Sequence, residues 1–345
     1  MSYEPACCHQ KDQGLFKNKL FLVTIFTLTL VLLSYIFPFL ETFRNVLFHY
    51  VSLIWWAVFL GLLLGGIIDY YVPREYISKI LAKKSPRTIF NAVLLGFLMS
   101  ACSHGILALS IQLHKKGASN PAVVSFLLAS PWANIAVTIM LLSLFGLKGL
   151  VIILTAIVVA LNTGFIFMFL EKKRWIETNK NTLDIEKNYS IKDDLRLRIK
   201  NYKFNRVSLQ QDLRGVISGA ISLSQMVLWW IILGILIASL SGAFIPTHFF
   251  HRFMGPTFLG LIITLILATV IEVCSEGSSP LAFEIYRQTG SLGNSFIFLM
   301  GGVITDYTEI GLLWSNVGRR VALWMPLVAV PQVVVLGYIF NKIFS

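Results

Sequence analysis

Charge is scarce in this sequence, and negative charge most of all. Charged residues make up 13% of the 345, with 17 Asp and Glu against 29 Lys and Arg. A soluble domain carries about 25% charged residues. With 56% hydrophobic residues and a mean hydropathy of +0.74, the chain has too little polar surface for a water-soluble fold, whereas lipid solvates it. The net charge of +12 does not mark a nucleic-acid binder, because the basic residues lie between long uncharged stretches, as the loop charges of a membrane protein do. Cysteine is also sparse. The four, Cys7, Cys8, Cys102 and Cys274, form no Cys-x-x-Cys pair, zinc spacing or disulfide framework. No phosphate-binding Gly-Lys-Ser/Thr loop is present, which argues against an ATP-driven pump, and no His-Glu-x-x-His or Gly-x-Ser-x-Gly marks a hydrolase.

What the chain does have is long uncharged runs. Stretches free of Asp, Glu, Lys and Arg cover 20–40, 45–68, 88–114, 117–147, 149–170, 215–251, 253–271, 288–305 and 321–341. Each is a spanning candidate, since about 20 apolar residues cross the hydrocarbon core. The first has no small-x-small site after it and reads as a transmembrane helix rather than a cleaved signal. Residues 1–44 are therefore an N-terminal tail and first helix. Composition then changes abruptly at 171–214, which holds 12 Lys and Arg and 7 Asp and Glu. That segment reads as a soluble basic loop dividing two membrane halves, 45–170 and 215–345.

The halves repeat. At an offset of 173, Leu60-Gly61 matches Leu233-Gly234, and Val72-Pro73 matches Ile245-Pro246. One residue of slippage later, Ala101-Cys102-Ser103-His104-Gly105 matches Val273-Cys274-Ser275-Glu276-Gly277. Duplicated halves are characteristic of secondary transporters. Nine straight crossings would divide the basic residues almost evenly between the two sides. If 88–114 and 257–285 instead enter and leave on one side, 24 of the 29 fall on one face, which identifies the cytoplasmic side. A first hairpin alone gives the same asymmetry, so the second rests on the repeat. The expected fold is all-α and integral to the membrane. It has two halves of inverted topology, about seven full spans and two re-entrant helical hairpins, with nine spans as the alternative. Gly, Ser and Pro at the centres of both hairpins free backbone groups, which lipid tolerates where a cavity or protein covers them.

These residues resemble a known family, the predicted permeases that include the organoarsenical efflux permease. The family's Cys-Ser-Cys-Gly, Lys-Lys-Gly-Ala-Ser and Ser/Thr-Pro-x-x-Asn stretches appear in the first half as Cys102-Ser103-His104-Gly105, Lys115-Lys116-Gly117-Ala118-Ser119 and Ser130-Pro131-Trp132-Ala133-Asn134. The second half reads Cys274-Ser275-Glu276-Gly277, Thr289-Gly290-Ser291-Leu292-Gly293 and Thr305-Asp306-Tyr307-Thr308-Glu309. The resemblance covers roughly 45–170 and 215–345 and implies a permease. His104 and Glu276 stand where the family has a second cysteine, which removes thiolates that a trivalent arsenical wants.

Acids divide the halves unequally. None lies between Glu75 and Glu171, while the second half holds Glu272, Glu276, Glu284, Asp306 and Glu309. An ionisable group inside a span costs about 2.5–3.5 kcal/mol on insertion scales, so such groups usually face a cavity and a partner. Glu284, beside Arg287 near the end of its stretch, reads as interfacial, and Glu272 as a solvated rim charge. Glu276, Asp306 and Glu309 are candidates for proton coupling or for balancing a cation. His104 is a candidate relay or ligand. Cys102, His104, Cys274 and Glu276 are candidate metal ligands. Ser103, Gly105, Pro131, Asn134, Ser275 and Gly277 complete the expected lining.

The expected function is a secondary-active efflux permease for a small ion, metal or metalloid species, acting between the two hairpins with protons as a candidate coupling ion. An ion channel, or an intramembrane enzyme using Cys, Ser, His and Glu, is the alternative. No cofactor and no nucleic-acid partner is expected. The expected location is the plasma (inner) membrane, multi-pass, with the N-terminus and central loop cytoplasmic.

Overall fold

A computed structural model describes residues 19–71, 80–81, 85–99, 103–115, 117–179, 206–245, 247–271 and 275–344. Among the described residues every regular element is helical. The first helix, α1 (Lys19–Ile36), stops because Pro38 excludes the helical conformation at Phe37, whose backbone is extended (φ −107°, ψ 111°). A single 3-10 turn at Pro38–Leu40 then leads into α2 (Glu41–Tyr71).

Four shorter helices follow before the next long one. They are α3 (Pro86–Leu98), α4 (Ser103–Lys115), α5 (Asn120–Ala133) and α6 (Ile135–Phe145). The half closes with α7 (Leu147–Lys172). The second half repeats the plan. It comprises α8 (Arg206–Phe244), the short α9 (Thr247–Met254), α10 (Phe258–Ile271), α11 (Ser275–Thr289), α12 (Leu292–Thr305), α13 (Tyr307–Asn316) and α14 (Arg319–Phe344). Residues 206–214, expected in the loop, are the first turns of α8. At 39 residues α8 is about 58 Å long, well beyond the hydrocarbon thickness. Its charged start can therefore lie outside the apolar slab. The rest of the expected loop from 180 to 205, with Cys7, Cys8, Cys102, Glu272 and Cys274, lies outside the described residues.

Helix length separates two kinds of element. Pro38–Leu64, Leu147–Lys172, Leu292–Asn316 and Arg319–Phe344 are long and apolar enough to cross a membrane. Among the described residues two bent pairs, counted as one span each, raise the number to six, Asn120–Trp132 with Ile135–Phe145 at 44°, and Leu228–Phe244 with His248–Met254 at 113°. The helix α1, at 18 residues about 27 Å long, is close to the hydrocarbon thickness. By contrast α3, α4, α10 and α11 have 13 to 15 residues, about 20–22 Å, and none crosses alone.

Side-chain contacts give the directions of these short helices. A Cβ on Gly164 would meet both Ile89 and Ser125, and one on Gly96 would meet Ser130 and Ala129. So α3 and α5 run side by side in the same direction. Then α4 leads through a tight turn into α5 and packs back along it. The turn needs a left-handed residue and has Gly117 at φ 90°. In the second half Asn294 Nδ2 donates to Thr264 Oγ1 (3.0 Å), while Thr269 Oγ1 meets Thr305 Oγ1 (2.7 Å). Thus α10 and α12 also run alongside in one direction. Likewise α11 packs back along α12, where Ser295 Oγ donates to the Ala282 carbonyl (2.8 Å), after a turn at Gly290 (φ 69°). Thus α3 and α4 run in opposite directions along α5, as α10 and α11 do along α12.

The centre is built from α5 and α12, which touch each other and are almost wholly buried. In the first half α5 packs on α3, α4 and α7, and in the second α12 packs on α10, α11 and α14. Across the halves, α2 lies along α8 over a long interface. Small residues make that approach close, since a Cβ on Gly66 would lie 2.6 Å from the Val216 carbonyl oxygen.

Candidate functional site

Each half contains a buried helix break that its own sequence builds. In α5, Pro131 has no N–H to give the Leu127 carbonyl, and the helix ends two residues later. Asn134 is extended (φ −75°, ψ 154°) and caps α6. Its Oδ1 accepts from Val137 N at 2.7 Å and its carbonyl from Thr138 N at 2.9 Å. The second half uses no proline at the corresponding break, yet makes the same cap hydrogen bonds. Asp306 Oδ1 accepts from Glu309 N at 2.9 Å and its carbonyl from Ile310 N at 2.9 Å. Asp306 is thus the counterpart of Asn134. Asp306 and Glu309, three apart in sequence, are related as cap and third helical residue, the spacing of a capping box.

The hairpin tips are built alike. Ser103, His104 and Gly105 form the first turn of α4, and Ser275, Glu276 and Gly277 that of α11. Ser275 Oγ donates to Glu276 Oε2 at 3.0 Å, and both residues are buried. A carboxylate in the first turn sits at the positive end of the helix dipole. Pro280 inside α11 leaves the Glu276 carbonyl without its usual helical donor. Gly277 carries the closest contact of this region. A Cβ on Gly234 of α8 would lie 2.1 Å from the Gly277 carbonyl oxygen.

Four short helices, α4, α6, α11 and α13, therefore begin at interior breaks. They pair across the halves, α6 against α11 and α13 against α4. Pro131, Asn134, Ser275, Glu276, Gly277, Asp306 and Glu309 are all buried. The structure brings Ser275 to Glu276 and Asp306 to Glu309. Of the first tip it describes the backbone of Ser103, His104 and Gly105 alone. Asn134 Nδ2 and Trp132 Nε1, flanking the first break, are buried donors with no hydrogen-bond partner among the described residues. Among those residues no group of three or more His, Cys, Asp or Glu side chains is placed to hold a metal ion.

One cluster was not anticipated. Glu284, expected at the interface with solvent, is fully buried. It accepts from Tyr50 Oη on α2, from Arg287 Nε and Nη2 (2.9 and 2.8 Å), and from Gln288 Nε2 (2.6 Å). Gly242 on α8 leaves room for it, as a Cβ there would lie 2.7 Å from Glu284 Oε1. The sequence signal was the Glu-x-x-Arg spacing within α11. The burial was not legible, because Tyr50 lies 234 residues away. Near this cluster Lys148 Nζ at the start of α7 donates to Tyr286 Oη. At the far end of α7, Glu177 accepts from Arg320 N (3.0 Å) and Val321 N (3.3 Å), capping α14. There too Asn120 Nδ2 donates to the Glu177 carbonyl, and Asn179 Nδ2 to the His114 carbonyl.

An all-helical chain with several lipid-length apolar helices, duplicated halves and a buried break in each defines a multi-pass membrane protein of the transporter class. The predicted permease family matches in two segments, residues 40–211 and 212–345, and the chain belongs to that family. Its members are permeases, not enzymes. The chain is 25% identical over 269 residues to the UPF0718 protein YcgR of Bacillus subtilis, covering 76% of this chain and 84% of that one. It is 21% identical over 259 residues to a Streptococcus mutans protein whose name describes a subunit of a two-component membrane permease complex (74% and 80%). It is 27% identical over 131 residues to the UPF0718 protein MJ0584 of Methanocaldococcus jannaschii (36% of each). No solved structure matches the chain.

Proposed function

We propose that this permease is a secondary-active exporter of a small ion, metal or metalloid species in the plasma membrane. Its site lies between the two hairpin tips and the two helix breaks. The observation that carries this reading is the set of four short helices that begin at interior breaks and pair across the halves. Helix ends inside a membrane leave backbone groups free for a polar substrate. Cys102, Ser103, His104 and Gly105 line one side and Cys274, Ser275, Glu276 and Gly277 the other, with Pro131 and Asn134 at the first break. Asp306 and Glu309 couple a proton or balance a cation.

The halves are inverted in this reading, and contacts at the two ends of α7 support it. The open end of the first hairpin lies with Glu177 and Asn179, and that of the second with Lys148. The N-terminus and the basic segment 171–214 are on the cytoplasmic side.

Everted vesicles carrying the chain, given divalent metals, organoarsenicals and an imposed pH gradient, test the proposal. The Glu276→Gln protein is expected to lose at least tenfold in flux and to lose its pH dependence. Undiminished flux with an unchanged pH profile removes Glu276 from the mechanism. Absence of flux for every substrate in wild-type vesicles counts against export of this substrate class.

A further inference from the structure

The two halves are built alike, but the long α2–α8 pair does not treat them alike. In this structure α2 packs against α6 of the first half, and α8 packs against α11 of the second. Among the described residues neither equivalent interface is extensive, that of α8 with α13 or that of α2 with α4. Matched residues show the difference. Ser143 on α6 donates to the Leu53 carbonyl of α2 at 2.6 Å. Its counterpart on α13, Ser315, is exposed and bonds back to Gly311 of its own helix. Met140 on α6 is 2% exposed, and its counterpart Leu312 is 43% exposed.

Glycine marks the contact points. Gly61 of α2 lets the backbone of Ala136 approach, since a Cβ there would lie 2.8 Å from Ala136 Cα. Gly234, at the same place in α8, lies against Gly277. The repeat assigns each glycine a second partner. The counterpart of Ala136 is Thr308 and that of Gly277 is Gly105. Gly311, on the uncovered side of α13, is a helical glycine with no atom within 4 Å of where a Cβ would be. Glycine inside a helix is unfavourable relative to Ala by about 0.5–1 kcal/mol, and a surface bare for lipid gains nothing from it. It makes sense as a place where another helix comes close.

We propose that transport proceeds by exchange of these contacts. The α2–α8 pair leaves α6 and α11 and docks on α13 and α4, so that Gly234 meets Thr308, Gly61 meets Gly105, and Met226 meets Ser315 as Leu53 now meets Ser143. The proposal rests on the inverted-repeat reading above. The structure is then the state open on the side of Glu177 and Asn179, closed at the other end by Tyr50 on Glu284. The exchanged state has Leu223 and Gln112 at the counterparts of those two residues, so it lacks this latch.

Cysteine pairs in the full-length chain in native membranes test it, with single-cysteine variants as controls for the native thiols. Leu53→Cys with Ser143→Cys reports the present state and is expected to cross-link. Met226→Cys with Ser315→Cys is expected to cross-link in a separate fraction of molecules. Gly311→Leu fills the docking face without touching present neighbours, so it is expected to raise the 53–143 yield toward completion and leave the melting temperature unchanged. Exchange is overturned if 53–143 cross-links, 226–315 never does, and Gly311→Leu leaves the 53–143 yield unchanged. Single cysteines at Lys148 and Asn179, probed with a membrane-impermeant maleimide, are expected to label from opposite sides. Labelling from one side defeats the inverted-repeat reading itself, whatever the cross-links show.

Discussion

The breaks before α6 and before α13 make the same cap hydrogen bonds with different chemistry. In the first, a proline ends the preceding helix and an amide caps the next. In the second, a carboxylate makes the same cap and another carboxylate follows three residues later. The hairpin tips repeat the contrast, with His104 opposite Glu276 in the repeat. Backbone geometry is therefore shared between the halves, and charge is concentrated in one. A cap needs an acceptor oxygen, which Asn and Asp both supply. Substitutions that preserve geometry while changing charge separate the two roles.

The strongest way to break the comparison is through the paired glycines. Gly234→Ala places a methyl group 2.1 Å from a backbone oxygen and is expected to cost about 3 kcal/mol in detergent-solubilised protein. Gly61→Ala meets Ala136 at 2.8 Å and is expected to cost about 1–2 kcal/mol. Equal losses in thermal unfolding contradict the difference in approach seen at the two helices.

Next is the buried carboxylate that the first half lacks. Removing one partner of a fully buried pair costs about 3–5 kcal/mol. Arg287 is 41% exposed and can reach water, so Glu284→Ala is expected to cost about 2–3 kcal/mol. Gln112, its exposed counterpart, is expected to tolerate alanine within about 0.5 kcal/mol. Tyr50→Phe removes one hydrogen bond to a charged acceptor and is expected to cost about 1.5 kcal/mol. Chemical denaturation of the three variants in one detergent checks the ranking.

The smallest effects on stability are the most informative about function. Asn134→Ala and Asp306→Ala each lose a cap, at about 1 kcal/mol. Asp306→Asn keeps the cap and removes the charge. It is expected to melt with the wild type while losing most of its flux. An Asp306→Asn protein that transports normally assigns Asp306 to capping alone.

Particular residues show what was legible. The short helices α4 and α11 begin where Gly, Ser and Pro interrupt the apolar runs at matched places, and such residues weaken a helix wherever it lies. The α8 start was misread because charge alone suggested a loop, whereas a helix can carry charge beyond the apolar slab. Asp306 as a cap was missed because no proline announces that break. Glu284 was placed at the rim from its distance to the end of the run, a measure blind to the α2 and α8 helices that cover it.

By itself the sequence determined that this chain lives in lipid and that its two halves carry matching motifs. Those properties follow from composition, spacing and local backbone chemistry, which neighbouring residues settle among themselves. The tertiary structure decided which breaks face each other, which carboxylate is sealed from water, and which of two equivalent faces the α2–α8 pair covers. These depend on contacts between residues more than a hundred positions apart. Two nearly equivalent halves offer nearly equivalent partners, so packing, not local sequence, selects between them.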